Sequence, residues 1–404
     1  MPPRKRQPDD TQPPDTSTQQ PAIRQSTRPA EIAAKKAKVL QDAQEAAARQ
    51  AQLRQERADK LAKLPKAPDG NRGDGNFHAV FLQMGQGDCT LMTTPQGHVV
   101  MLDCGSDSKE ETDAKAYQRR ISDVIHGAKF LKDRNIIDVL ILTHPDSDHY
   151  NQLTKMLKDD VQIDSYYHSS NRVAYSGASG FIAQRCKVAC KVNHHDNDGT
   201  QVIELVTGEN NTKIDLTATG SVPRLDGNGG ILVHTEKDCT ISLLAGNVNR
   251  GDLKDNSNDT NRGSIATLIE VFDQRILMCG DGTINTEAYL LKYHKARLAN
   301  LDVVQAGHHG SINTSSSQKF VDHVHPKLVV ISAGMKIPMH HLPSWETINR
   351  YKRVTDRSDQ GYVVSSWKTS VSLYDPFTET IFEKIYVTGS RGTFEYTVPP
   401  KAVP

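Results

Sequence analysis

Apolar and polar positions divide the chain into three stretches of different character. From Met1 to Pro29 the only apolar residues besides alanine are Met1 and Ile23, and seven of the 19 prolines fall there. Such a segment buries too little apolar surface to offset its ordering entropy, so residues 1–30 are expected to be a disordered tail. Residues 31–65 switch to Ala, Gln, Lys, Arg and Glu without glycine, which favours a polar helix that Pro65 stops. Every seventh residue reads Ile32, Val39, Ala46, Leu53 and Lys60. The companion seam reads Lys36, Ala43, Gln50, Arg57 and Leu64, so only half of a coiled-coil pattern exists. A solvated single helix fits best; a weak coiled coil or protein-partner helix, and a nucleic-acid or membrane-surface arm, are the alternatives. Three glycines and a proline make residues 66–76 a linker.

Beyond it the pattern becomes globular. Short apolar runs at 79–84, 99–102, 136–142, 266–272, 276–279, 301–304 and 328–331 are bounded by Gly, Pro, Asp or Asn, as strands are. Asp273-Gln274-Arg275 between two of them suggests a hairpin. Helical patterns at 113–132, 150–157, 286–299 and 344–353 make the whole α/β. Residues 166–261 read as an elaborated or inserted region within a domain spanning 77–375, and 376–404 as a C-terminal extension.

Charge changes this picture only when it is divided. The chain carries 49 Lys and Arg against 48 Asp and Glu, a net +1 that excludes a histone-like polycation. Residues 1–76 hold 15 basic and 10 acidic side chains, so a +5 tail precedes a body of −4. No run approaches the roughly 18 apolar residues of a membrane helix, and no apolar segment follows the basic Arg4-Lys5-Arg6. The expectation is an intracellular, cytoplasmic protein without a membrane partner; the basic cluster is too short to decide for or against the nucleus. Six dispersed cysteines fit reduced thiols. Cys186, Cys190, His194 and His195 have metal-binding residue types, but their spacing is equally that of a helix face ending in a polar turn.

The candidate chemistry lies just after strands. Thr143-His144-Pro145-Asp146-Ser147-Asp148-His149 follows the run at 136–142 and places four potential metal ligands in six positions. In extended chain, residues 144, 146 and 148 share a side, and His149 joins them if the chain turns there. Two imidazoles and two carboxylates suit a divalent ion such as Zn or Mn. Cys279-Gly280-Asp281-Gly282, Gly307-His308-His309-Gly310-Ser311 and His340-His341 also follow strands. Repetition of that placement is what a site at one edge of a sheet requires.

Together with Met84-Gly85-Gln86-Gly87-Asp88, Leu102-Asp103-Cys104-Gly105 and Asn261-Arg262-Gly263-Ser264, these motifs resemble the metallo-β-lactamase fold. Within it they resemble the soluble hydrolase domain of ComEC-type competence proteins and their stand-alone relatives. The resemblance covers roughly 77–375 and implies an αββα sandwich there, which the disordered and helical N-terminal extension read above precedes. It implies one or two divalent ions, with His144 and Asp146 on the first, Asp148 and His149 on the second, Asp281 bridging, and His340 or His341 completing the second. His308 and His309, with Asp148, would act at the scissile group, and Asp88 and Asp103 would orient ligands. Many relatives place another histidine between the first motif and the bridging Asp. Here His168, His194, His195 and His234 lack the matching context, which leaves a single ion as an alternative.

The implied activity is hydrolysis of a phosphodiester, with nucleic acid the favoured substrate class. A hydrolase of lactones, thioesters or β-lactams is the enzymatic rival, to which the −4 body lends weight. A scaffold presenting the 31–65 helix to a protein partner is the non-enzymatic one.

Overall fold

A computed structural model describes parts of residues 34–52 and residues 73–401, apart from 108–113, 132–133, 195–200, 208–209, 219–221, 249–252, 254–256, 336–339 and 370–374. The expected tail over 1–30 and most of the expected linker lie outside the described residues. Met1–Lys63 and Leu64–Pro404 are separate units. In the first, the residues described between 34 and 52 are helical, and those side chains are exposed, as a solvated polar helix requires.

The second unit is built on two sheets. The chain forms β1 (Phe77–Phe81), β2 (Thr90–Thr93), β3 (Val99–Leu102), β4 (Ile136–Leu142), β5 (Gln162–His168), β6 (Cys186–His194), β7 (Gln201–Thr207) and β8 (Asn210–Lys213). It continues through β9 (Arg224–Leu225), β10 (Ile231–Glu236), β11 (Cys239–Ala245), β12 (Ala266–Val271), β13 (Gln274–Met278), β14 (Val303–Gln305) and β15 (Leu328–Ile331). Last come β16 (Arg357–Ser366), β17 (Phe377–Glu383), β18 (Ile385–Val387) and β19 (Phe394–Val398). Among the described residues the first sheet has the order β19-β1-β2-β3-β4-β5-β6-β7-β8 and the second β18-β15-β14-β13-β12-β11-β10-β9, while β16 and β17 pair with each other.

Both sheets are covered on both faces, which is why their central strands read as continuous apolar runs. In β4, Val139 and Ile141 join the core between the sheets, while Leu140 and Leu142 meet the outer layer. In β13, Ile276 and Met278 point inward and Leu277 outward. The helix Ala114–Ile125 covers the first sheet with Tyr117, Ile121 and Ile125, one helical stripe at four-residue spacing. The helices Ile284–Tyr293 and Gln318–Val324 cover the second through Tyr289, Leu290, Phe320 and Val324. The layers are therefore αββα.

Two expectations about organisation meet the sheet order. Residues 166–261, read as elaborated or inserted, add strands to both sheets and do not stand beside them: β6–β8 extend the first and β9–β11 the second. Their polar edge strands, such as Asn210–Lys213, carry little apolar alternation to announce them. Nor is 376–404 an appendage, because β18 pairs with β15 and β19 with β1. The strand pairs β3/β4, β4/β5, β13/β14 and β14/β15 are all parallel, so the loops after β3 and β4 leave one edge of their sheet, and those after β13, β14 and β15 one edge of theirs.

Candidate metal centre

Each site loop is held where its strand ends. After β3, Asp103 adopts a left-handed backbone (φ 52°), and its carboxylate accepts from the Thr143 amide at 2.8 Å and the Thr143 hydroxyl at 2.7 Å. The same carboxylate lies 2.8 Å from His149 Nδ1. Gly105 follows because a Cβ there would sit 2.1 Å from the carbonyl carbon of Asp148. After β13, Gly280 turns with φ 50° against Thr143 and delivers Asp281 to the same place. After β14, His308 and His309 take φ 47° and 51°, and His309 Nδ1 is fixed 2.7 Å from the Ser332 carbonyl beyond β15. Three non-glycine residues in a left-handed backbone around one point are strain that the surrounding packing must hold.

Between these loops the ligand atoms converge. His149 Nε2 is 3.2 Å from Asp281 Oδ1, and His309 Nε2 is 3.5 Å from that oxygen and 3.4 Å from Asp148 Oδ2. His144 Nε2 is 3.7 Å from Asp281 Oδ2 and 3.5 Å from Asp146 Oδ2. Donors around a tetrahedral ion at about 2.0–2.1 Å lie about 3.3–3.4 Å from one another, so these separations fit a divalent cation. The nitrogens His144 Nε2, His149 Nε2 and His309 Nε2 and the oxygen Asp281 Oδ1 are buried without a hydrogen-bond partner. Buried polar atoms are almost always satisfied, so four orphans facing one point indicate a ligand they are built to share.

The electrostatics follow the same geometry. Burial opposes ionisation of Asp281 and Asp148, but the neighbouring histidines outweigh it and hold both carboxyls well below their usual range. Burial likewise opposes charge on His309, yet Asp281 and Asp148 push it up to about 9. His149 is raised for the same reason by Asp281 and Asp103. Asp88 is pushed up by its burial to about 6, and it accepts from Gln305 Nε2 at 2.6 Å.

The structure brings together His144, Asp146, Asp148, His149, Asp281, His308 and His309, and His340 lines the same cavity as Asp146, Asp148, Asp281, His308 and His309. Among the described residues three metal-sized groups overlap at His149: His144, His149 and Asp281; Asp148, His149 and His309; and Asp88, Asp103 and His149. β14 delivers His309 directly to Asp148, in the group for which His340 or His341 was expected. His341 packs on the Trp367 ring at 5.1 Å with its Nε2 buried and without a hydrogen-bond partner, and His340 is exposed on the wall of the site cavity of about 290 Å³. His308 lies at the edge: its Nε2 is 3.6 Å from Asp281 Oδ2 and 3.1 Å from Asn261 Nδ2, with Thr314 Oγ1 2.7 Å from Nδ1. Burial lowers its affinity for a proton.

No histidine between the first motif and Asp281 enters these clusters among the described residues. His168 Nδ1 meets the Ser170 carbonyl at 2.6 Å, His194 abuts Tyr289, and His234 belongs elsewhere; His195 lies outside the described residues. Cys186 and Cys190 lie on a strand rather than a helix, and all six cysteines are buried outside disulfides. Thr314 and the Ser332 carbonyl escaped sequence reasoning, while Thr143 and Asn261 stood inside the quoted motifs without a role of their own.

This fold and this cluster define the class. Residues 82–212 match the Metallo-beta-lactamase superfamily, so the chain carries a metallo-beta-lactamase domain. "ComE operon protein 3" of Bacillus subtilis is 24% identical over 308 residues, which is 73% of this chain and 34% of that protein. "Recombination protein 2" of Haemophilus influenzae is 30% identical over 100 residues, 24% of this chain and 12% of the relative. The chain thus spans about a third or less of these relatives' length. The metallo-beta-lactamase fold protein YhfI from Bacillus subtilis aligns with 80% of this chain and 100% of its own at 10% identity, with a TM-score of 0.38. Among the described residues no helix is long and apolar enough to cross a membrane.

Proposed function

We propose that the chain is a divalent-metal-dependent hydrolase of phosphodiesters, with nucleic acid as the substrate class. The observation that carries this reading is the convergence of the orphaned His144 Nε2, His149 Nε2, His309 Nε2 and Asp281 Oδ1. His144, Asp146, Asp148, His149, Asp281 and His309 would hold one or two ions of the Zn or Mn class, Asp281 lying between the two groups of donors. Bound there, such ions supply Lewis acidity and make hydroxide available at neutral pH.

The chain's own residues do the rest. Asp103 accepts from His149 Nδ1 and the Ser332 carbonyl accepts from His309 Nδ1, which directs both Nε2 lone pairs inward. Asn261 and Thr314 orient His308 at the cavity, where it and His340 offer nitrogen to a phosphoryl oxygen. The cavity wall is mostly polar, with Gln86, Asp107 and Ser147 beside Leu342, which suits a phosphodiester better than the apolar acyl portion of a lactone or thioester. Similarity to a protein named for recombination supports nucleic acid within that class. The body's −4 is no obstacle, since two divalent ions would bring it to about zero.

Hydrolysis of single- and double-stranded DNA, RNA and bis-p-nitrophenyl phosphate by protein loaded with Zn or Mn tests the reading. Turnover of at least one, lost in Asp148→Ala, is expected; a metal-loaded wild type inert on all four would contradict it.

A further inference from the structure

A second group of ligand-type side chains lies away from the catalytic edge. Ring or carboxylate atoms of His98, His234 and Glu236 fall within 4.8 Å of one another. His98 stands immediately before β3, whose other end carries Asp103, so it belongs to the opposite end of the first sheet. His234 and Glu236 close β10, which runs antiparallel to β11, as β11 does to β12 and β12 to β13, so β10 ends away from the edge where β13 delivers Asp281. The cluster therefore joins one strand end from each sheet across the sandwich.

We propose that His98, His234 and Glu236 form a second, structural site for a divalent cation of the zinc class that staples the two sheets together.

The geometry carries this in three ways. First, His98 Nδ1 lies 3.1 Å from Asp138 Oδ1, and Asp138 is itself fixed by Arg134 at 2.9 and 3.1 Å and by the Val99 amide at 2.7 Å. A carboxylate that takes one ring N–H is the usual partner of a metal-ligating histidine, and it leaves Nε2 as the nitrogen for an ion. Second, His234 Nε2 and Glu236 Oε2 are 3.3 Å apart, the separation of two donors on a tetrahedral zinc, and the two imidazole centroids are 4.8 Å apart. Third, Glu236 is held in place from the opposite sheet: Thr94 Oγ1 donates to Oε2 at 2.8 Å and the Gln96 amide to Oε1 at 3.1 Å. The His98 side chain is 39% exposed, so an ion can enter, and a fourth position remains for water. Two imidazoles and a carboxylate suit zinc or a close relative rather than calcium.

The test uses zinc alone and the full-length protein. Metal is counted by elemental analysis after gel filtration, and affinity is read by competition with a chromophoric chelator. His234→Gln and Glu236→Gln are expected to hold one equivalent less than wild type while retaining phosphodiester hydrolysis. Glu236→Gln keeps an oxygen for Thr94 and Gln96, so circular dichroism in chelator should match wild type. Asp148→Ala/Asp281→Ala, with the catalytic cluster dismantled, is expected to keep one equivalent and to melt higher with zinc than with chelator. Equal zinc content and affinity in wild type and both single variants would overturn the proposal. So would a double variant that binds no zinc and melts at the same temperature with and without it.

Discussion

The two ends of the sandwich use the same side-chain types under opposite constraints. At the edge that carries the Asp281 cluster, Asp103, His308 and His309 hold left-handed backbones, and the facing histidine nitrogens are buried without hydrogen bonds. At the other end, His98, His234 and Glu236 sit on ordinary strand and turn backbone, partly exposed, and tied by hydrogen bonds to Asp138, Thr94 and Gln96. On the proposed reading, the difference teaches what a reactive site costs: strained, unsatisfied ligands are tolerated where an ion and a substrate would be received, and satisfied ones are kept where an ion would only hold the sheets together.

The largest break in this contrast should come from Asp281→Ala. Removing the carboxylate shared by His144, His149 and His309 is expected to abolish metal retention at this edge and reduce hydrolysis to background, read by elemental analysis and initial rates. Gly105→Ala comes next, because its Cβ meets the Asp148 backbone at 2.1 Å. Overpacking of this kind costs about 1–3 kcal/mol, and here it should also displace the Asp148 loop, so denaturant unfolding and metal affinity should fall together.

Asp103→Asn should be gentler. It leaves an oxygen for the Thr143 amide but disturbs the acceptor of His149 Nδ1, and loss of such a partner lowers metal affinity by about 10- to 100-fold. Acidification sharpens the same point. His309, raised to about 9, and His149, also raised, must release protons to ligate, so apparent affinity should rise with pH towards 9 and weaken below it. The slope is at most about tenfold per pH unit for each proton displaced, measurable by chelator competition. His98→Gln should have the smallest effect on hydrolysis, within about twofold, since the site it disturbs lies at the far end of the sandwich.

How much of this was legible in the sequence depended on distance along the chain. His144, Asp146, Asp148 and His149 stand within six positions after an apolar strand, so their shared purpose shows in spacing alone. Asp281 and the histidine pair at 308–309 showed through repeated placement after strands. The place of His309 beside Asp148 did not, because it turns on the Ser332 carbonyl and on the path of β14, neither of which a side-chain pattern records. The strands within 166–261 were missed because polar edge strands lack alternation. His98 and His234 escaped because only the packing of two sheets brings them together.

The central claim is that the Asp281 cluster binds the metal that makes the chain a phosphodiesterase. Its most direct test is the initial rate of bis-p-nitrophenyl phosphate hydrolysis as Zn or Mn is titrated into metal-free wild type and metal-free Asp281→Ala. A rate that rises from zero to saturation in wild type and stays at background in the variant is the predicted result. Equal rates in the two proteins, or a wild-type rate that ignores added metal, would contradict the account.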